Sequence, residues 1–349
     1  MSSSSRWTWS SVLLGAGLAA AFAPAHALNI LLCNDDGITA ANVRALKQKL
    51  SAAGHSVLLT APVDNQSGRG GFIAFLQPVP PLTGNERGAR ALALPAGTPG
   101  VGTDPSDPDV HYVNGTPVAA CLYGIDVQAP AKWGVAPDLV ISGPNEGNNT
   151  GHITASSGTF NNLLYAINRG LPAIAVSDAV TTQRTWSTAL PPTDRTFEVA
   201  DIVLRLIDDV LDAKPPRHHA ERRPARRLLP EGLGLNVNVP AFATGNGATL
   251  PFALTQIGVA TAFAPAFYER LSDSPLAVAS GVNVAAPGIS LTSGGTLLPG
   301  GTVVPKDEAA RSEGNVVAQG SAITLSPVQG VPEASRAYEG WLRGRLHQR

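Results

Sequence analysis

The run NILLCNDDGIT, residues 29–39, decides the fold. Ile30 to Cys33 form a short continuous apolar stretch suited to a strand buried on both faces, and the acidic pair Asp35-Asp36 with Gly37 ends it. The following ITAANVRALKQKLSAAG places Val43, Leu46 and Leu50 at helical spacing and stops at Gly54; HSVLLTAP then reads as a second strand. Parallel strands joined through a helix need a right-handed crossover, so the chain opens as a β-α-β unit.

The pattern continues outward. GVAPDLVISG is an apolar strand, SSGTFNNLLYAINRG a helix with Leu163, Leu164 and Ile167 on one face and Gly170 closing it, and LPAIAVS the next strand. FEVADIVLRLIDDVLDA is an amphipathic helix, and GLGLNVNVP ends a further strand at Pro240. The alternation predicts an α/β fold, a Rossmann-like, mostly parallel sheet with helices on both faces. Residues 28–240 form the core on this reading. Residues 241–314, rich in Gly, Ala, Thr and Pro with β-prone pieces such as GTLLPGGTVVP, read as an antiparallel C-terminal arm or subdomain, and 315–349 as a closing strand and C-terminal helix. The Pro- and Gly-rich segment between QPVPP and VNGTP reads as an excursion with a hairpin, ending in the helix PVAACLYGIDV. No internal repeat is evident.

With 25 basic and 26 acidic residues and a net charge of -1, no overall field draws the chain to nucleic acid or a membrane surface. The most basic segment, Arg217 to Arg227, lacks interleaved aromatics and reads as a solvated connection. At the N-terminus Arg6, an apolar run from Val12 to Ala23 and the small-x-small pattern Ala25-His26-Ala27 read as a secretory signal peptide over residues 1–27; the run is shorter than the ~20 residues that span a bilayer. A secreted or periplasmic location is the expectation. Cys33 and Cys121 are the only cysteines, so one bridge at most can form; each lies in an apolar stretch, where a buried free thiol is the expectation over a bridge.

Two adjacent carboxylates at a strand end repel each other unless a cation or strong donors compensate. Oxygen donors of this kind suit Mg²⁺, Mn²⁺ or Ca²⁺, and no Cys/His spacing supports structural zinc. In an open α/β sheet ligands gather at the carboxyl ends of the strands, which brings NDDG, VDNQSGRGG and GPNEGNNTG to one crevice. Ser67 and Asn145 can then add neutral oxygens to Asp35 and Asp36. In GNNTGHITASSGTF, the glycines and the hydroxyls before a helix make an anion site, most naturally for phosphate. A metal beside a phosphate cradle points to phosphoryl chemistry.

ILLCNDDGI, APVDNQSG, VNGTP, PDLVISGPNEGNNTG, SSGTFNNLLYAINRGLPAIAVS, LNVNVP and the late EGNVVAQGSAITLSP resemble, in order and spacing, the signatures of the SurE-type 5′-nucleotidases. The likeness runs from about Leu28 to Pro327 apart from the excursion and much of the arm. It implies a divalent-metal-dependent phosphomonoesterase acting on nucleoside 5′-monophosphates, with 3′-monophosphates and short polyphosphate as further substrates, and a homodimer or homotetramer built through the arms. It also implies Asp35, Asp36, Ser67 and Asn145 as metal ligands, with Asn149, Ser157, Gly158 and Thr159 at the phosphate. The chain departs from the family pattern at His152 and Ile153, where an Asp-Asp pair is common, at Ser156, where Tyr is frequent, and at Pro144, where Ile is usual. Asp35 or Asp36 is the expected acceptor of the proton from the attacking water, and His152 a candidate leaving-group acid. The alternative is a non-catalytic secreted nucleotide- or phosphate-binding protein on the same fold. A receiver-like module fits less well, because Asp138 precedes the LVIS strand rather than following it.

Overall fold

Alternation along the first strand builds two cores at once. Ile30 and Leu32 point to one face of the sheet and Leu31 and Cys33 to the other, all fully buried, so each face must be covered by helices. The computed structural model describes residues 27–180, 182–186, 190–211, 228–293 and 310–331. The signal-peptide segment up to residue 26, the basic segment, GTLLPGGTVVP and the C-terminal helix expected beyond residue 331 lie outside the described residues.

In chain order the elements are β1 (Asn29–Cys33), α1 (Ala41–Ala52), β2 (Ser56–Pro62), α2 (Arg87–Ala91), β3 (Val101–Asp104), β4 (Asp107–Val113), α3 (Pro117–Tyr123), α4 (Ala129–Trp133), β5 (Leu139–Glu146), α5 (Gly158–Ile167), β6 (Ala173–Asp178), α6 (Arg195–Leu206), β7 (Leu233–Val239), β8 (Phe252–Leu254), β9 (Phe263–Tyr268), α7 (Pro275–Ala279), β10 (Gly288–Ser293), α8 (Glu313–Gln319) and β11 (Ile323–Gln329). The main sheet runs β3-β4-β2-β1-β5-β6-β7-β11-β8. From β4 to β7 every pairing is parallel; β3 and β11 run antiparallel to their inner neighbours. The expected mostly parallel sheet is therefore present, with the excursion's hairpin, β3–β4, added at one edge. β9 and β10 form a separate antiparallel pair in register Gly288 opposite Tyr268, while β8, which also falls in the stretch read as the arm, joins the main sheet beside β11.

Helices α1 and α6 cover one face, through Val43, Leu46, Leu50, Ile202, Val203 and Leu206. Each such buried aliphatic side chain contributes about 1.5–3 kcal/mol relative to exposure. Helices α3 and α5 cover the other face with Cys121, Leu163 and Ile167. Here the structure corrects the cysteine expectation: Cys33 and Cys121 form a disulfide with Cα atoms 5.3 Å apart. β1 and α3 pack directly on each other, so two residues that local sequence shows only as buried apolar positions meet within bridging distance.

β1 has the next strand in sequence, β2, on one side and the later β5 on the other. The chain order reverses at β1, and the crevice beyond its carboxyl end is the place where such sheets bind ligands.

Candidate active site

Asn34, Asp35 and Asp36 leave β1 directly into that crevice. Asn34 Nδ2 donates to Gly37 O at 3.1 Å and so tightens the turn. Gly37 has φ +105°, and a Cβ there would lie 3.2 Å from the backbone of Asp64, so the turn that presents both acids favours glycine on two grounds.

Asp35 and Asp36 are both buried. Thr159 donates its hydroxyl to Asp35 Oδ1 at 2.6 Å, and the N–H groups of Gly158 and Thr159 also point at this carboxylate. The positive end of α5 is thus directed at Asp35. Burial nevertheless raises the Asp35 carboxyl above its ordinary range. Asp36 accepts from Glu146 N at 2.9 Å on Oδ2 and from Gln183 Nε2 at 3.0 Å on Oδ1. Burial first, and then the charge of Asp35, push Asp36 well above the usual carboxylate range. Two buried acids held this close are an unfavourable arrangement that a bound cation relieves.

The other expected ligands come from the end of β5 and from the loop after β2. A register shift in β5 between Ser142 and Asn145 places Asn145 at the strand end; its Nδ2 donates to Gly147 O at 2.7 Å, and its buried Oδ1 has no partner. A buried amide oxygen without a donor is costly in itself and suited to a hard cation. Ser67 is exposed, one residue beyond Gln66, whose N–H donates to Asp35 O at 2.8 Å. Its loop packs against the next one through Gly70 N, which donates to Ser156 O at 3.0 Å. Two carboxylates and an unpartnered amide oxygen are a donor set that fits a hard divalent ion, and Ser67 lies on the adjoining loop. Among the described residues no group of three or more His, Cys, Asp and Glu side chains is arranged to hold a metal ion by itself, so neutral oxygens such as Asn145 Oδ1 are needed beside the two acids.

Ser157 caps α5: its Oγ accepts from Phe160 N at 3.0 Å. A Cβ on Gly158 would lie 2.7 Å from Asp35 Cβ and 2.6 Å from Pro117 Cγ, so glycine lets the helix end approach the acid. Asn149 is buried and donates through Nδ2 to Ser177 Oγ at 3.0 Å. His152 is exposed on the 3₁₀ turn Gly151–Ser156.

Three neighbours were not singled out from sequence. Glu146 lies one residue beyond Asn145, and burial pushes its carboxyl up to about 7 against the pull of Arg184. Gln183 and Arg184 sit in the loop after β6; Arg184 N donates to the Glu146 carboxylate at 3.2 Å, and its guanidinium forms a two-pronged pair with Asp194 at 2.8 and 2.9 Å. Glu146 was legible as part of a polar cluster, whereas nothing in the local pattern around Gln183 marks it as a partner of Asp36.

Comparison with known proteins agrees with this architecture. A solved structure of the SurE protein from Aquifex aeolicus superposes with a TM-score of 0.56, covering 89% of this chain and 97% of that one at 21% identity, a likeness of fold. An acid phosphatase of Yarrowia lipolytica is 34% identical over 213 residues, 60% of this chain and 56% of that protein. A 5′-nucleotidase SurE of Gloeobacter violaceus is 32% identical over 216 residues, 62% of this chain and 65% of that protein. The chain thus spans a little over half to just under two thirds of the length of these relatives. The family model described as survival protein SurE matches residues 30–264, which take in the acid pair, both neighbouring loops and the crevice between them, and the chain belongs to the SurE family.

Proposed function

We infer that the protein is a divalent-metal-dependent phosphomonoesterase that releases phosphate from nucleoside 5′-monophosphates, and also from 3′-monophosphates and short polyphosphate. The observation that carries this reading is the buried pair Asp35-Asp36 beside the unpartnered Asn145 Oδ1. Relatives named acid phosphatase and 5′-nucleotidase support the reaction class.

Asp35, Asp36, Asn145 and Ser67 would hold one Mg²⁺ or Mn²⁺, with Ca²⁺ also compatible with oxygen donors. When bound, the ion polarises a phosphoryl oxygen and acidifies water, which is the chemistry the reaction requires. The chain's own groups do the rest. Thr159 and the end of α5 fix Asp35, so that this carboxylate does not rotate away. Gln183 and Glu146 N hold Asp36, which is available to take a proton from the attacking water. Ser157 Oγ accepts from Phe160 N and keeps its own O–H for a phosphate oxygen. In this reading Asn149 and Ser157 contact phosphate, while Gly158 and Thr159 shape the pocket through Asp35.

The disulfide supports export, since such bridges persist in oxidising compartments. Among the described residues no helix is long and apolar enough to cross a membrane. Assembly as a dimer or tetramer is supported by the exposed Phe263, Phe267 and Ile289 on one face of the β9–β10 pair. The function is tested by stripping metal with a chelator, restoring Mg²⁺ or Mn²⁺, and following phosphate release from a panel of mononucleotides. Turnover that vanishes and returns with the metal is expected. Nucleotide binding without phosphate release in the restored protein would make it a binding protein instead.

A further inference from the structure

Glu313, the first residue of α8, is fully buried and far along the chain from every group placed at the site. Its carboxylate accepts from Asn236 Nδ2 at 3.0 Å and from Ser326 Oγ at 2.7 Å, and the N–H of Gly151 faces it. These donors come from β7, from β11 and from the loop that follows β5. Asn236 Nδ2 also reaches Asn149 O at 2.9 Å, and Asn238 holds Asn149 from both sides, its Oδ1 accepting from Asn149 N at 2.9 Å and its Nδ2 donating to Asn149 O at 3.1 Å. At the other end of this loop, Gly147 O receives the Asn145 amide and leaves Asn145 Oδ1 free. A chain of polar contacts, buried as far as Asn149 and partly buried at Gly147, therefore leads from Glu313 through residues 147–151 to an expected metal ligand. The packing is close: a Cβ on Gly151 would lie 2.3 Å from Ala260 O, and one on Gly314 would lie 2.4 Å from the same oxygen.

We propose that Glu313 is the positioning residue of this site, acting through Gly151 and Asn236 to hold the 147–151 loop in the form that presents Asn145 and Asn149. A buried carboxylate is an expensive way to fill space, and it is retained where several donors would otherwise be left unpaired. Here two of the three donors belong to the loop itself and to the asparagine that supports it, and the third, Ser326 Oγ, ties the carboxylate to β11. The inference rests on the phosphomonoesterase reading for its catalytic readout only.

The test uses the full chain with Glu313→Ala and Glu313→Gln. Glutamine can accept from Asn236 and Gly151 through its carbonyl and donate to Ser326 Oγ, which can turn its own proton toward Thr255 Oγ1, 2.8 Å away. Three quantities are read: kcat and KM for a mononucleotide at saturating Mn²⁺, Mn²⁺ affinity by calorimetry, and amide exchange of residues 147–151. Glu313→Ala is expected to lower kcat and Mn²⁺ affinity by on the order of 10- to 100-fold, the usual effect of losing a partner behind a metal ligand. KM is expected to change less, protection of the loop amides to fall, and Glu313→Gln to recover most of the loss. Wild-type kcat, Mn²⁺ affinity and exchange in Glu313→Ala would overturn the proposal. Should Glu313→Ala not fold, Asn236→Ala is read on the same scale, and unchanged values there would overturn it equally. If the wild-type chain shows no turnover with metal restored, the function fails, and Mn²⁺ affinity and exchange still decide the role of Glu313.

Discussion

Asp36→Asn separates charge from shape at the centre of the site. The substitution keeps the acceptor that faces Glu146 N while removing the repulsion from Asp35, so the metal-free variant is expected to be as stable as wild type or more so. Its turnover is expected to fall by orders of magnitude, on the order of 10²-fold or more. Phosphate release and thermal unfolding, each with and without Mn²⁺, check both halves; a fully active, well-folded variant contradicts the ligand assignment. Thr159→Val removes the 2.6 Å donor to Asp35 at nearly constant volume and is expected to cost about 1–3 kcal/mol, because a buried carboxylate loses a hydrogen bond. Denaturant unfolding measures it. At this scale the acids were legible because a like-charged pair at the end of an apolar strand needs a reason. Gln183 was not, since a glutamine in a long loop carries no local sign that the fold will carry it to Asp36.

Among the elements, α5 and the loop before α6 carry the site. Leu163 and Ile167 marked α5 by their spacing, and Ser157 marked its start. That the end of this helix would touch Asp35 required β1 and β5 to be neighbours, which spacing alone does not specify. Gly158→Ala drives a methyl group to 2.7 Å from Asp35 Cβ and is expected to cost about 1–3 kcal/mol and to weaken Mn²⁺ binding; unfolding and calorimetry on one preparation test it. The loop holding Gln183 is pinned by Arg184 and Asp194, and Asp194 also caps α6 by accepting from Thr196 N at 2.9 Å. The hydrogen bond from Arg184 is the main reason the Asp194 carboxyl lies below its ordinary value of 3.8. A depressed carboxyl stabilises the fold above the unfolded value and loses that contribution as pH falls through the folded one. Asp194→Ala is therefore expected to lower stability by about 1–2 kcal/mol at pH 7, with the gap from wild type closing on acidification below about pH 4. Unfolding curves from pH 3 to 7 supply the comparison, and a gap independent of pH would contradict the ion-pair account.

At the scale of the molecule, one covalent link and one sheet order set what the rest can do. The Cys33–Cys121 bridge closes a separation of 88 residues behind the acid pair, and its reduction or the double replacement by Ala is expected to cost about 2–5 kcal/mol, seen as a lower Tm. The sheet class was legible because βα alternation with apolar strands admits few topologies. The bridge was not, because it depends on β1 meeting α3, a contact between segments far apart in the chain. The same limit applies to Glu313, whose partners come from three separate segments. The acid pair and the loops that support it meet at one crevice, at the point where strand order reverses. Its occupancy is measured most directly by anomalous diffraction from a crystal of the protein grown with Mn²⁺. The expected result is a single peak about 2.0–2.2 Å from oxygens of Asp35, Asp36 and Asn145, absent in Asp36→Asn. A crevice without a peak, in crystals where the wild-type protein is active with Mn²⁺, would contradict the assignment of these residues as the metal centre.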